Sequence, residues 1–173
     1  MFNSGYVNLY RSGKLHERIE KARKLLQECQ ICPRRCKVNR LENRLGICKV
    51  GKRPKVSSYN PHFGEESPLV GVHGSGTIFI TSCNLGCVFC QNYDISHCGE
   101  GYEISIERFA HMMIELQNMG CHNINFVTPT HVVPQILEAL PMAIRDGLNI
   151  PLVYNTGGYD CVETLQLLEG VFD

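Results

Sequence analysis

Apolar residues recur every three to four positions between residues 14 and 28. Leu15, Ile19, Ala22, Leu25 and Leu26 stand there among charges, which predicts a surface helix packed on one side. The helix delivers Cys29 to a cysteine-rich stretch reaching to about residue 50, and a Pro-, Gly- and Ser-rich loop is expected over 51–76. From residue 77 the pattern changes. The runs 77–82 (TIFITS), 123–128 (NINFVT) and 151–155 (PLVYN) read as three strands separated by amphipathic segments. Ser105 is the expected N-cap of a helix with Ile106, Phe109, Ala110, Met113 and Leu116 on one face and Gly120 at its stop. A second helix is expected from about Pro134 to Gly147 with a kink at Pro141. Asp160, with Glu163 three residues on, reads as a capping box opening a last helix that ends at Gly170, and residues 171–173 read as the start of a fourth strand.

Three strand-helix units in succession predict an α/β fold with parallel strands and right-handed crossovers, arranged as an open sheet or as an arc of a barrel. A full eight-unit barrel takes ~250 residues, so 173 residues hold only a part of one. The expected division is an N-terminal helix and cysteine-rich metal-binding segment over 1–60, followed by the strand-helix units over 61–173. With 43% hydrophobic and 20% charged residues the chain supports an ordinary buried core. No apolar run approaches the ~20 residues of a membrane span, and the N-terminus lacks the pattern of a secretory signal, so a cytoplasmic location is expected.

The net charge of zero conceals a separation. Residues 11–55 carry 15 of the 17 Lys and Arg residues and four acidic ones, while the rest of the chain beyond 55 carries two basic and 13 acidic. A basic segment lying against an acidic domain of the same chain is favoured over a nucleic-acid surface, because no aromatic residue interrupts 11–55 to stack a base.

Ten cysteines in a reducing compartment point to metal or cluster ligation rather than disulfides. Cys83, Cys87 and Cys90 form C-x3-C-x2-C in CNLGCVFCQN directly after the first predicted strand, where strand-helix folds place reactive loops. Three thiolates can each take one iron of a four-iron cluster and leave the fourth iron open, with Gly86 allowing a tight turn about the sulfurs. Zinc with three protein ligands and a water is the competing occupant, but catalytic zinc sites usually include histidine and this loop has none. Cys29, Cys32, Cys36 and Cys48 form C-x2-C-x3-C-x11-C, a spacing that suits a structural zinc site or a second cluster, with a slight preference for zinc. Cys98, Cys121 and Cys161 have no partners at ligand spacing and read as small buried hydrophobes. Glu65, Glu66 and the histidines 62, 73, 111 and 122 receive no role, and His131 reads as a structural residue of the rim.

The loop CNLGCVFCQN resembles the defining loop of radical S-adenosylmethionine enzymes. CQICPRRCKVNRLENRLGICKVG, PHFGEESPLVGVHGSGTIFITSCNLGCVFCQNYDIS, HNINFVTPTHVVPQIL and PLVYNTGGYD resemble the pyruvate formate-lyase activating-enzyme-like subgroup. The resemblance implies a partial (βα)6 barrel, of which about three to four units are present. It implies a [4Fe-4S] cluster on Cys83, Cys87 and Cys90, whose open iron binds S-adenosylmethionine for reductive cleavage to a 5′-deoxyadenosyl radical that abstracts hydrogen. Phe89 falls at the position that packs near the adenine. Thr128-Pro129-Thr130 stand where many members have Gly-Gly-Glu, so Thr128, Thr130 and Asn155 are the expected cofactor contacts by location. No residue is assigned a catalytic role. The fourth-strand Asp-x-Lys of the activating enzymes is expected beyond Asp173, which makes the chain look C-terminally truncated. A flavodoxin or ferredoxin electron donor and a protein substrate are the implied partners; membrane and nucleic acid are not. The alternative is a non-catalytic zinc or iron-sulfur module, truncated or touching RNA through its basic segment.

Overall fold

Residues 4–173 are described by a computed structural model. Two helices, α1 (Gly5–Arg11) and α2 (Lys14–Gln27), meet at Gly13, whose φ of 78° takes the chain through the left-handed turn between them. Leu15, Ile19, Ala22 and Leu26 form the buried stripe of α2, as the periodicity predicts. Residues 28–54 then run without regular structure except one 3₁₀ turn at Arg40–Glu42.

The sheet has five strands in the order β3-β1-β2-β4-β5. Strands β2 (Ser75–Ile80), β4 (Ile124–Val127) and β5 (Leu152–Asn155) are parallel, and α4 (Ile106–Asn118), α5 (Val133–Arg145) and α6 (Val162–Leu168) follow them in turn. These are the three expected strand-helix units, and the mixed α/β architecture is consistent with part of a radical SAM fold. Ser105 caps α4 through its hydroxyl, which accepts from the Arg108 N–H at 3.1 Å. Pro141 lies inside α5, which continues past it to Arg145.

Two expectations need correction. The stretch 51–76 is not all loop: β1 (Lys55–His62) lies in it, antiparallel to β2 and to the short β3 (Tyr102–Glu103), followed by the single-turn α3 (Ser67–Val70). Pro61 is tolerated because β3 pairs only with Lys55 and Val56, leaving the far end of β1 an open edge where no N–H is needed. Because β1 spans 55–62, the boundary expected near residue 60 falls inside a strand. The second correction is Asp160. It does not cap α6, whose N-cap is Cys161 without a side-chain bond. Its carboxylate instead accepts the hydroxyls of Thr130, Tyr154 and Thr156, each at 2.6 Å. At 171–173 no strand is formed, although the Asp173 N–H donates to the Leu152 carbonyl at 3.0 Å.

Side chains alternate across the parallel strands. Ile78, Ile124, Phe126 and Leu152 face the helices and join Phe109, Leu116, Ile136 and Leu140 in one core that also takes Tyr6 and Leu15 from the N-terminal helices. Phe126 meets Phe109 edge-on at 5.9 Å. A full burial of this kind contributes ~1.5–3 kcal/mol per side chain, so the sheet and its helices form a rigid base for the loops at the strand ends. No helix among the described residues is long and apolar enough to cross a membrane.

Candidate cofactor site

The register of the parallel strands sets the site. Phe79, Val127 and Asn155 stand level across β2, β4 and β5, on the face opposite the helices. All three line a cavity of about 640 Å³ at the carboxyl ends of the strands, together with Cys87, Phe89, Cys90 and Thr128. Cys83 opens onto a smaller adjoining space of about 50 Å³ that Cys90 and Thr128 share. The structure thus brings six of the predicted residues to one rim: the three loop cysteines, Phe89, Thr128 and Asn155. Phe89 is 86% exposed and is no core aromatic. Thr130 is placed differently: it is buried and its hydroxyl is held by Asp160, outside the cavity lining.

The backbone at this rim is unusual in two places. Ser82, directly before Cys83, has φ of 64°, and Thr128, directly after β4, has φ of 50°. A β-branched residue in the left-handed region costs on the order of 1–3 kcal/mol and persists only where its surroundings enforce it. Here Thr128 N–H donates to the Asn155 carbonyl at 2.7 Å, and Ser82 N–H donates to Ile95 at 2.9 Å. These bonds end the strands sharply and turn the chain outward.

The loop thiols are already addressed by donors. Leu85 N–H points at Cys83 Sγ (3.3 Å), and Ser96 Oγ donates to Cys90 Sγ (3.2 Å) from a π-helical turn at Asp94–Cys98. These contacts orient the two sulfurs. An all-sulfur, half-buried donor set opening onto a cavity fits an iron-sulfur cluster better than a hard cation. Among the described residues no three Cys, His, Asp or Glu side chains stand close enough, as they are, to hold one metal ion.

Arg34 joins the N-terminal cysteines to this loop. Its guanidinium donates to the Asn84 carbonyl at 3.0 Å and the Leu85 carbonyl at 2.9 Å, and lies over the Tyr159 ring. Cys29, Cys32 and Cys48 are buried and Cys36 half-buried. Burial pushes the Cys32 and Cys48 thiols up; the charge of Arg40 pulls Cys48 partly back, and the neighbouring Cys29 and Cys36 push it up again. Of the remaining cysteines, Cys121 and Cys161 are buried as expected, but Cys98 is exposed.

His131 is fully buried beneath the rim, with Nε2 3.4 Å from the Thr81 carbonyl and Nδ1 without a partner. Burial, aided by Arg40, lowers its pKa to about 4, so it is neutral near pH 7. Two titratable cavity residues received no role from the sequence: His62 and Glu65 line it from the end of β1. The signal that would have found them is the strand itself, since only its pairing with β2 carries the HFGE segment to the cavity. Two exposed ion pairs, Arg35 with Glu163 and Arg53 with Glu103, join the two oppositely charged parts of the chain.

Comparison with known proteins agrees with this geometry. Residues 77–171 match the Radical SAM superfamily. The chain belongs to that superfamily, whose members are generally enzymes and whose domain implies a [4Fe-4S] cluster and S-adenosylmethionine. It is also similar to Uncharacterized protein MJ0674 of Methanocaldococcus jannaschii, with 37% identity over 164 residues. That alignment covers 90% of this chain and 46% of the relative, so the chain spans about half of that protein's length. No solved structure matches the chain.

Proposed function

We propose that this chain supplies the cluster- and cofactor-binding part of a pyruvate formate-lyase activating-enzyme-like radical SAM protein. The observation that supports it is the shared rim: the C-x3-C-x2-C loop, Phe89, Thr128 and the in-register Phe79, Val127 and Asn155 border one cavity. Cys83, Cys87 and Cys90 would hold the cluster, which with bound S-adenosylmethionine supplies reductive cleavage to a 5′-deoxyadenosyl radical and methionine.

The protein's own work there is binding and orientation. Phe89 and Phe79 offer aromatic faces to an adenine, and the Asn155 amide and Thr128 hydroxyl offer donors and acceptors to the polar end of the cofactor. Ser96 and the Leu85 N–H hold two of the sulfurs in place. Asp160 fixes the rim loops by gathering the Thr130, Tyr154 and Thr156 hydroxyls; burial and the bond to Asp160 push the Tyr154 phenol well above its ordinary range, so that it stays a donor. His62 and Glu65 present polar groups to whatever substrate enters from the β1 side. A reduced flavodoxin or ferredoxin is the electron donor in this reading, and a glycine of a partner protein is the hydrogen source.

The test is anaerobic incubation of the iron-loaded protein with dithionite and S-adenosylmethionine, followed by chromatography. The expected products are 5′-deoxyadenosine and methionine, absent with Cys87→Ala. Iron-loaded protein that forms neither would refute the proposal.

A further inference from the structure

The segment 28–54 poses a physical problem that the rim chemistry does not address. It buries Cys29, Ile31, Cys32, Arg40, Cys48 and Val50, yet has almost no regular structure; Cys48 and Val50 join the main core, while Cys29 and Ile31 pack with Leu26 in a small cluster apart from it. Among the described residues, four of the six non-glycine positions at positive φ lie in it: Arg35, Lys37, Asn43 and Lys49. A stretch of this length without helix or strand is uncommon in a packed domain unless something else holds it.

Arg40 sharpens the problem. It is 1% exposed, and its guanidinium donates to the Gly51 carbonyl at 3.2 and 3.3 Å and to the His131 carbonyl at 2.9 Å. Its remaining contact is Cys29 Sγ, with Nη1 at 3.8 Å. Among the described residues no carboxylate pairs with it. A buried cation without a counter-charge is strongly unfavourable, and the side chain it contacts is the Cys29 thiol.

We propose that Cys29, Cys32, Cys36 and Cys48 ligate one structural zinc ion, whose four thiolates give the centre a net charge of about −2 that Arg40 compensates from within the core. Binding releases four thiol protons and changes no oxidation state. The local backbone is shaped for it. Cys29 N–H donates to the Val38 carbonyl and Lys37 N–H to the Cys29 carbonyl, both at 3.0 Å, closing a hairpin that carries Cys32 and Cys36 in its loop. Arg35 N–H to the Cys32 carbonyl (2.9 Å) and Lys49 N–H to the Gly46 carbonyl (3.0 Å) make tight turns at Cys32 and at Cys48. Gly46 lies so close to Cys36 that a Cβ there would stand 2.9 Å from its Sγ. Only glycine fits there beside the Cys36 thiol. The ion fixes the turn that carries Arg34, and Arg34 grips the carbonyls of Asn84 and Leu85, so the centre braces the C-x3-C-x2-C loop from behind.

The experiment is metal analysis of the anaerobically purified full chain, with X-ray absorption at the zinc edge. About one zinc per chain, surrounded by four sulfurs at ~2.3 Å, is expected. A Cys83→Ala/Cys87→Ala/Cys90→Ala variant keeps that zinc whatever happens to its iron, so this inference and the proposed cofactor chemistry fail separately. Cys36→Ser, at a half-buried position, loses at least tenfold in zinc affinity to a competing chromophoric chelator. Arg34→Ala keeps its zinc but gives up loop iron to a chelator several times faster. Protein without zinc, zinc bound by fewer than three sulfurs, or about four irons remaining in the triple variant would each overturn the inference.

Discussion

Two cysteine-bearing regions sit side by side in this molecule and are stabilised in different ways. The loop at 83–90 rises from β2, whose neighbours β4 and β5 bury Ile78, Ile124, Phe126 and Leu152 against α4 and α5. The segment at 28–54 sends only Cys48 and Val50 into the main core and places an arginine without a carboxylate partner beside a thiol. The first region's shape is set by packing, whereas the second, in our proposal, depends on charge and a bound metal. His131 lies at the seam, its carbonyl accepting from Arg40 on one side and its ring facing the Thr81 carbonyl on the other.

The comparison breaks most visibly if the sheet proves to depend on metal. Phe126→Ala removes a fully buried ring and is expected to cost about 3–5 kcal/mol in urea unfolding, by the same amount with and without a zinc chelator. A chelator-dependent cost would show that the two regions are not separately stabilised. The seam provides the next test. His131 has a folded pKa of about 4 against an unfolded value near 6.5, so its contribution is complete above about pH 6.5 and fades as pH falls toward 4, where the unfolded state alone takes up the proton. From pH 7.5 to 5 this amounts to about 2 kcal/mol of stability lost through one residue. Denaturation curves of wild type and His131→Gln should therefore converge on acidification; parallel curves would contradict the buried neutral imidazole.

A smaller effect is expected at the rim. Asn155→Ala should weaken S-adenosylmethionine binding by about tenfold, equivalent to ~1.4 kcal/mol, with unchanged iron content. Unaltered affinity would remove Asn155 from the cofactor contacts. The smallest effect belongs to the exposed network in which Arg108 bonds Glu115 at 2.6 Å beside Tyr59. The Arg108 guanidinium holds the Glu115 carboxyl below its usual range, but both side chains are about 40% exposed, and Arg108→Ala should cost no more than about 0.5 kcal/mol.

Much of the packed region was legible in the sequence because its periodicities are local. TIFITS, NINFVT and PLVYN announce their strands, and Ser105 announces α4 through a bond made three residues away. The strand β1 was not legible, because VSSYN carries little apolar alternation and is fixed by pairing with the remote β2. That one omission hid His62 and Glu65 from the cavity. Asp160 was misread because its spacing to Glu163 fits a helix cap, while the tertiary fold offers it three hydroxyls instead. Arg40 looked like one basic residue among many, and only folding reveals its burial. That the loop cysteines gather at one rim was legible from their spacing, since the loop spans only eight residues.

The central claim is that the 83–90 loop holds a cluster with one iron open to S-adenosylmethionine. Mössbauer spectroscopy of iron-57-reconstituted protein, with and without S-adenosylmethionine, addresses it most directly. About four irons per chain are expected, one of which changes its signal when the cofactor is added and all of which are lost in the triple alanine variant. An iron signal indifferent to S-adenosylmethionine, or a loop that takes up no iron under strict anaerobiosis, would contradict it.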